Sequence, residues 1–323
     1  MVNVLVCSAG RRVKVVQYLR QNINKSGGKV ITVDCNVNAP ALYFGDEFDI
    51  IPQIDNEEYL ASIIAVCKKY KIKGILSLID PELEMLAKNK KIFDEIGVTL
   101  VLSPLDVIQY CYDKQETYNY LTTLGIPAIP TFSSLKTVTS LIERKELSFP
   151  LVVKPGKGSA SIGINIVNNK IALKNAFSEG DDLIIQPFYK DLEFGIDVYV
   201  DLISGDLVDM FIKEKVKMRS GETDKAISVH NIEIETLVKK FISRTGFVGP
   251  IDIDCFKYKG NYYISEINPR FGGGYPHAQE MGCDFMDYIN NNLIGKENKP
   301  YTNYRYEEDF VMMKYDDVFL YKK

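Results

Sequence analysis

The chain has 323 residues, is 46% hydrophobic and carries a net charge of −4, so it can bury substantial cores but lacks the broad Lys and Arg excess of a general nucleic-acid binder. Six cysteines at 7, 35, 67, 111, 255 and 283 make neither a CxxC pair nor a disulfide framework, and MVNVLVCSAG is broken too soon for a signal peptide. No apolar run approaches the roughly 20 residues of a membrane helix, so a globular, cytoplasmic protein without membrane or nucleic-acid partners is expected.

VNVLVCSAG is a short apolar run ending in small residues, RRVKVVQYLRQNI is amphipathic at helical spacing, and KVITVDCN is a second apolar run ending in an acid. This is a βαβ opening. Helix EEYLASIIAVCKKY, strand IKGILSLI, helix ELEMLAKNKKIFDEIG and strand VTLVLSP continue it, which predicts a parallel-sheet domain of about four strands over 1–106. DVIQYCYDKQETYNYLTTLGIPAIPTF reads as helix closed by Gly125 and Pro127. Mostly strands follow: FPLVVKP, SIGINIVN, LIIQPFY, EFGIDVYVDL and DLVDMFIKEKVKM, with a helix near IALKNAFS. After a helix around NIEIETLVKKFISRTG, PIDIDCFKYKGNYYISEINPR predicts a hairpin turning near Lys259 and Gly260. The Tyr-rich tail is expected to add a packing strand.

Some stretches could carry chemistry. In KPGKGSASIG a strand ends in Lys154 and a glycine-rich loop follows, whose free N–H groups can wrap phosphate oxygens, although a plain hairpin reads equally well. It is not a GxxxxGK[ST] loop. SAGRR has only Gly10 where a dinucleotide fingerprint wants three glycines, so strand-to-helix packing is its reading. In FIKEKVKMR, extended geometry places Lys213, Lys215, Lys217 and Arg219 on one face. A solvated face is expected for Lys213 and Lys215, and a substrate or phosphate contact for Arg219 beside Gly221. Asp252 and Asp254 share one strand face, as do Glu266 and Asn268 on the returning strand. Paired, they offer oxygens suited to Mg²⁺ or Mn²⁺; a surface hairpin with solvated acids is the alternative. Arg270 could grip phosphate or carboxylate in bidentate fashion. Ser8 and Ser159 read as loop filler rather than nucleophiles, and neither His230 nor His277 has a metal-type partner at i+3 or i+4.

Taken in order, the segments resemble the ATP-grasp superfamily, most closely its carbamoyl-phosphate-synthase-like and pyrrolysine-biosynthesis-ligase-like branch. The resemblance runs over nearly the whole chain, from SAGRRV and IDPELEMLA to EINPRFGGGYP. It implies a mixed α/β and α+β protein: a Rossmann-like pre-ATP-grasp domain (1–106), an ATP-grasp domain (107–300) with lobes at about 112–184 and 185–300, and a packing segment (301–323). It further implies that Lys114, Lys154, Gly158, Ser159, Gln186, Pro187 and Glu193 bind ATP. Asp254, Glu266 and Asn268 would hold Mg²⁺ or Mn²⁺, and Arg270, with Arg219, would face the transferring phosphoryl group. At Gln186 relatives often have Glu.

The implied reaction joins a small-molecule carboxylate to an amine, amino acids among them, through an acyl phosphate with ADP released. Gly10, Arg11 and Asp80 fall at the carboxyl edge of the predicted parallel sheet and are substrate candidates with Gly273, Tyr275 and His277. Helix capping accounts for Asp80 equally well, and Tyr275 and His277 either line a pocket or pack. A homodimer is in keeping with relatives. Activation of bicarbonate, a nucleotide-binding regulatory module, and a dinucleotide-dependent oxidoreductase using Asp34 are the competing readings.

Overall fold

The computed structural model describes residues 1–158 and 163–322. Its first unit is a parallel sheet of β1 (Asn3–Cys7), β2 (Val30–Asp34), β3 (Glu47–Ile50), β4 (Ile72–Ser77) and β5 (Thr99–Leu100), in the order β3-β2-β1-β4-β5. That is one strand more than expected. The additional strand, β3, is an edge strand of sequence EFDI that is largely exposed, so it never shows the apolar run by which its neighbours announce themselves. In β1, Leu5 and Cys7 enter one core while Val4 and Val6 enter another, as alternation requires when both faces are covered. The Val13–Lys25 helix covers one face by burying Val15, Val16, Leu19 and Ile23.

Two antiparallel sheets follow. The smaller has β6 (Leu151–Pro155) between β7 (Asn165–Val167) and β8 (Leu183–Pro187). The larger runs β13-β12-β9-β10-β11-β14, with β9 (Glu193–Val200), β10 (Leu207–Arg219), β11 (Glu222–Ser228), β12 (Gly249–Tyr258), β13 (Asn261–Asn268) and β14 (Val311–Met313). β14 is the tail strand, paired with β11. The β12–β13 hairpin turns at Lys259 and Gly260, whose φ values of 49° and 82° are those of a tight turn with two left-handed central residues. Its register sets Asp252 opposite Asn268 and Asp254 opposite Glu266.

The large sheet and the parallel-sheet unit share one apolar cluster, in which Val6 and Leu19 join Tyr199, Phe211, Tyr275 and Phe285. The same cluster takes in Leu76 and Leu78, so the carboxyl ends of β1 and β4 pack toward β9 and β10 of the large sheet. Among the described residues no helix is long and apolar enough to cross a membrane.

Candidate active site

The polar face of the large sheet is built by alternation on four adjacent strands. On β9, Glu193, Gly195 and Asp197 point the same way; Gly195 lies opposite both Asp254 of β12 and Lys213 of β10, and Asp197 lies opposite Asp252. Glycine at 195 leaves room for the stems of both lysines, which cross it: a Cβ there would stand 3.1 Å from Lys213 Cε and 3.2 Å from Lys215 Cε, and the stems would have to shift slightly to admit it.

The two lysines correct the expectation of a solvated face. Lys213 is 1% exposed and pairs with the equally buried Asp197. Lys215 bridges Glu193 at 2.9 Å and Asp254 at 2.5 Å. The periodicity marked their face correctly but could not show what covers it. Beyond Lys215 the register shifts twice, so Lys217 and Arg219 leave this face and are exposed.

Negative charge dominates the remainder. Burial raises the pKa of Asp254 above the ordinary carboxylate value, and Asp252, Glu193 and Glu266 raise it further against the pull of Lys215. Burial opposes the Lys215 ammonium, yet Asp254, Glu193 and Asp252 outweigh it and raise its pKa. Lys154 at the end of β6 completes the group. Burial lowers its pKa, Glu266, Asp254 and Glu193 act in the opposite sense, and Lys114 lowers it further. Lys114 begins the Lys114–Thr123 helix, which Asp113 caps by accepting from the N–H groups of Gln115 and Glu116, and its Nζ donates to the carbonyl of Gly158 at 2.6 Å. A cleft runs between these parts, lined by Gly158, Glu266, Asn268, Asp80, Gln109 and Cys111.

Arg270 closes one side. Buried at 7% exposure, it grips Asp80 with two bonds of 2.9 Å and also donates to Asn268 Oδ1 at 3.2 Å and the Phe271 carbonyl at 3.1 Å. Its pKa rises despite burial because Asp80, Asp252 and Glu266 surround it. Gln186 is buried on β8 and donates to Thr131 Oγ1 at 2.8 Å, with Pro187 following it.

The three glycines after Arg270, Gly273 among them, have a packing cause. A Cβ on Gly272 would stand 2.3 Å from Asp252 Cγ, one on Gly273 would stand 2.7 Å from Glu222 Oε2, and one on Gly274 would stand 2.8 Å from Lys213 Cε. The backbone lies directly on charged side chains, and only glycine allows that approach.

Other candidates lie apart from the cleft. Arg219 binds Asp224 and Asp316 at 3.0 Å each. Arg11 is exposed and pairs with Glu222 at 3.0 Å, and the Gly10 N–H donates to Asp34 Oδ2 at 2.8 Å. Tyr275 is fully buried and hydrogen-bonds Gln279 and the Phe285 N–H. His277 packs edge-on against Phe211, with ring centroids 4.8 Å apart. Burial, then Lys213, lowers its pKa to about 4. Ser159 lies outside the described residues.

Asp197, Glu82 and the pair of Arg12 with Glu222 at 3.2 Å were not singled out from the sequence. Asp197 was within reach, because Glu193, Gly195 and Asp197 repeat at the same interval as Lys213 and Lys215 on the next strand. Among the described residues no group of three or more His, Cys, Asp or Glu is close enough to hold a metal by itself. Asp254 and Glu266 with the amide oxygen of Asn268 still fit a hard cation that keeps positions for water and phosphate, and the surplus of carboxylate charge favours one.

A family model for the PylC-like N-terminal domain matches residues 4–101, and one for the ATP-grasp domain matches residues 111–274. The arginine-specific large chain of carbamoyl phosphate synthase from Halalkalibacterium halodurans is 23% identical over 247 residues, which cover 71% of this chain but only 23% of that protein. D-alanine–D-alanine ligase from Wigglesworthia glossinidia brevipalpis is 25% identical over 273 residues, 76% of this chain and 77% of its own length. Among solved structures, an L-amino acid ligase from Bacillus licheniformis superposes with a TM-score of 0.69 at 21% identity, over 93% of this chain and 77% of that one, which shows a shared fold. With both family models in sequence along it, the second over half its length, the chain belongs to the ATP-grasp family and carries a PylC-like N-terminal domain.

Proposed function

We propose that this protein is an ATP-dependent, ADP-forming ligase that joins a carboxylate to an amine. The observation that carries this reading is the gathering of charge around Glu266: Lys154, with Lys114 and Asp254 beside it, and Arg270 all feel its carboxylate, which lines a cleft together with Gly158, Asn268 and Asp80. In the reaction, a substrate carboxylate oxygen attacks the γ-phosphorus of ATP, the bond to the β-phosphate oxygen breaks, and ADP leaves. The amine nitrogen then attacks the acyl carbon, inorganic phosphate departs, and the nitrogen loses a proton. Such chemistry asks mainly for placement and for positive charge around the transferring group.

The chain's own residues meet those needs. Lys154 and Lys114 would neutralise phosphate charge from the β6 side, with the Lys114–Gly158 bond holding the start of the phosphate loop. Arg270 would face the transferring group, its fork already fixed by Asp80. Gln186, Pro187 and Glu193 would flank the base and ribose. Enzymes of this family use ATP, typically with Mg²⁺, and Asp254, Glu266 and Asn268 would hold that ion, which supplies charge neutralisation at the phosphates. We place the unit boundaries near 106 and 300. A reducing, cytoplasmic setting fits six unpaired thiols, of which Cys7, Cys67, Cys255 and Cys283 are buried.

Incubation with ATP, Mg²⁺ and pairwise panels of amino acids, amines and small acids including bicarbonate tests the reading. Release of ADP and phosphate that depends on a particular pair, and that Lys154→Met and Glu266→Gln both suppress, is expected. Formation of AMP and pyrophosphate, or ATP binding that no panel member turns into hydrolysis, would overturn it.

A further inference from the structure

A second cavity lies beyond the carboxyl ends of β1, β2, β3 and β4, on the edge of the parallel sheet where the strand order reverses between β1 and β4. Ser8, Cys35, Ile51, Asp55, Tyr59 and Ile79 line it. Such an edge is where open parallel sheets receive ligands. Behind the lining sits Glu82, 0% exposed, in the first turn of the Asp80–Lys88 helix. Three hydroxyls are turned onto its carboxylate: Ser8 Oγ at 2.9 Å, with Ser77 Oγ and Tyr59 Oη. To reach it Ser8 adopts φ of 46°, a left-handed conformation that a serine takes up only under constraint. The constraint shows that Ser8 is more than loop filler.

Polarity follows from the direction of these bonds. A hydroxyl has one proton, so Ser8 and Tyr59, having given theirs to Glu82, turn acceptor lone pairs toward the cavity. Asp55 adds a carboxylate at the rim. The charges felt here are negative: burial raises the Glu82 pKa, the three hydroxyls act against it and Asp34 raises it further, while the Cys35 thiol, raised first by burial, is raised further by Asp34 and Asp55. Asp34 itself is occupied by the N–H groups of Gly10 and Asn36. The remaining walls are apolar, from Ile51, Pro52, Ile54 and Ile79, apart from the neutral amide of Gln53. An anion would be repelled here, and a neutral alcohol would bring one donor where several acceptors wait.

We propose that this cavity binds a primary alkylammonium group, with Ser8, Tyr59 and Asp55 accepting its N–H donors and Glu82 supplying the countercharge from beneath. Its role as the subsite for the amine substrate rests on the ligase reading; the cation binding itself does not. Glu82 beneath this cavity and Asp80, which holds Arg270, belong to one helical turn but to different faces of it, so the cavity and the cleft flank the same helix start.

Titration calorimetry of the full chain without nucleotide, using n-butylammonium, n-butanol and butyrate, tests the proposal. Saturable binding of n-butylammonium is expected, with the alcohol and the acid at least about tenfold weaker. Glu82→Gln and Tyr59→Phe should each weaken the ammonium about tenfold. Asp55→Asn, an exposed change that the fold tolerates, should weaken it several-fold even if the buried variants fail to fold. Equal binding of all three probes, no binding of the ammonium, or an affinity untouched by Asp55→Asn and by every folded buried variant would overturn it. ADP release in the panel assay separates the two claims. Pair-dependent turnover without ammonium selectivity leaves the ligase standing and removes this site, whereas selectivity without turnover does the reverse.

Discussion

Asp80 and Arg270 form a two-pronged ion pair, Nε to Oδ1 and Nη2 to Oδ2 at 2.9 Å each, between the helical turn after β4 and the loop after β13. A planar guanidinium meets a carboxylate in this way with both donors aligned, and a lysine could not replace it. The pair ties the parallel-sheet unit to the residues that face the cleft, so the position of Arg270 depends on a residue 190 positions away in sequence.

Asp80→Asn keeps the size of the side chain but removes its charge and one acceptor, leaving the buried Arg270 fork partly unpaired. A loss of about 1–3 kcal/mol is expected, and Asp80→Ala should cost more. Urea unfolding measures both. Midpoints equal to wild type would show that Arg270 needs no partner in the parallel-sheet unit.

The hairpin at the centre of the site was legible because two local signals agreed: alternating acids on both arms and a Lys259–Gly260 turn. Pairing of Asp254 with Glu266 followed from them. Lys213 and Lys215 were misread because period-two alternation assigns a side chain to a face without saying whether that face meets water or another layer. Arg12, Glu222 and Glu82 stayed hidden for a different reason. Their partners come from distant segments, and no local spacing encodes such contacts. At Gly272–Gly274 a run of glycines says nothing of what lies beside it; the charged groups there belong to the same chain and come from distant segments.

Gly272→Ala therefore tests a packing claim. The new methyl would overlap the Asp252 carboxylate, so a cost of about 1–3 kcal/mol or more is expected from displaced backbone or side chain. Removing the obstacle should recover part of it: Gly272→Ala with Asp252→Ala should lose less than the sum of the single variants. Strict additivity in denaturant titrations would refute a direct clash.

His277 predicts an acid-side weakness. It is 4% exposed, and burial and then Lys213 lower its pKa to about 4 from an ordinary value near 6.5, against a weaker opposing pull from the Phe310 backbone. A base with a depressed native pKa contributes stability that is complete above the unfolded value and is lost as pH falls from about 6.5 to about 4. The difference amounts to about 3 kcal/mol. Unfolding midpoints compared at pH 7 and pH 4.5 should show His277→Phe losing less on acidification than the wild type. Parallel pH profiles would mean that His277 is hydrated and titrates normally.

Lys215 makes the last prediction, because it separates a structural lysine from one that stands in for a missing cation. It is the bridge between Glu193 and Asp254, and its ammonium is the main positive charge against a set of acids that also includes Asp252 and Glu266. Lys215→Met keeps the stem that crosses Gly195 but leaves the acids opposing one another, which should cost about 3–5 kcal/mol. If Asp254 and Glu266 hold a divalent ion beside this lysine, Mg²⁺ replaces part of the lost charge. Its stabilising effect in thermal unfolding should then be larger in the variant than in the wild type. The effect should also grow as pH rises, since the raised pKa of Asp254 means that protons compete with the ion on the acid side. A Mg²⁺ response that is the same in both proteins, or that is absent at every pH, would place the metal elsewhere and leave Lys215 as a wholly internal counterion.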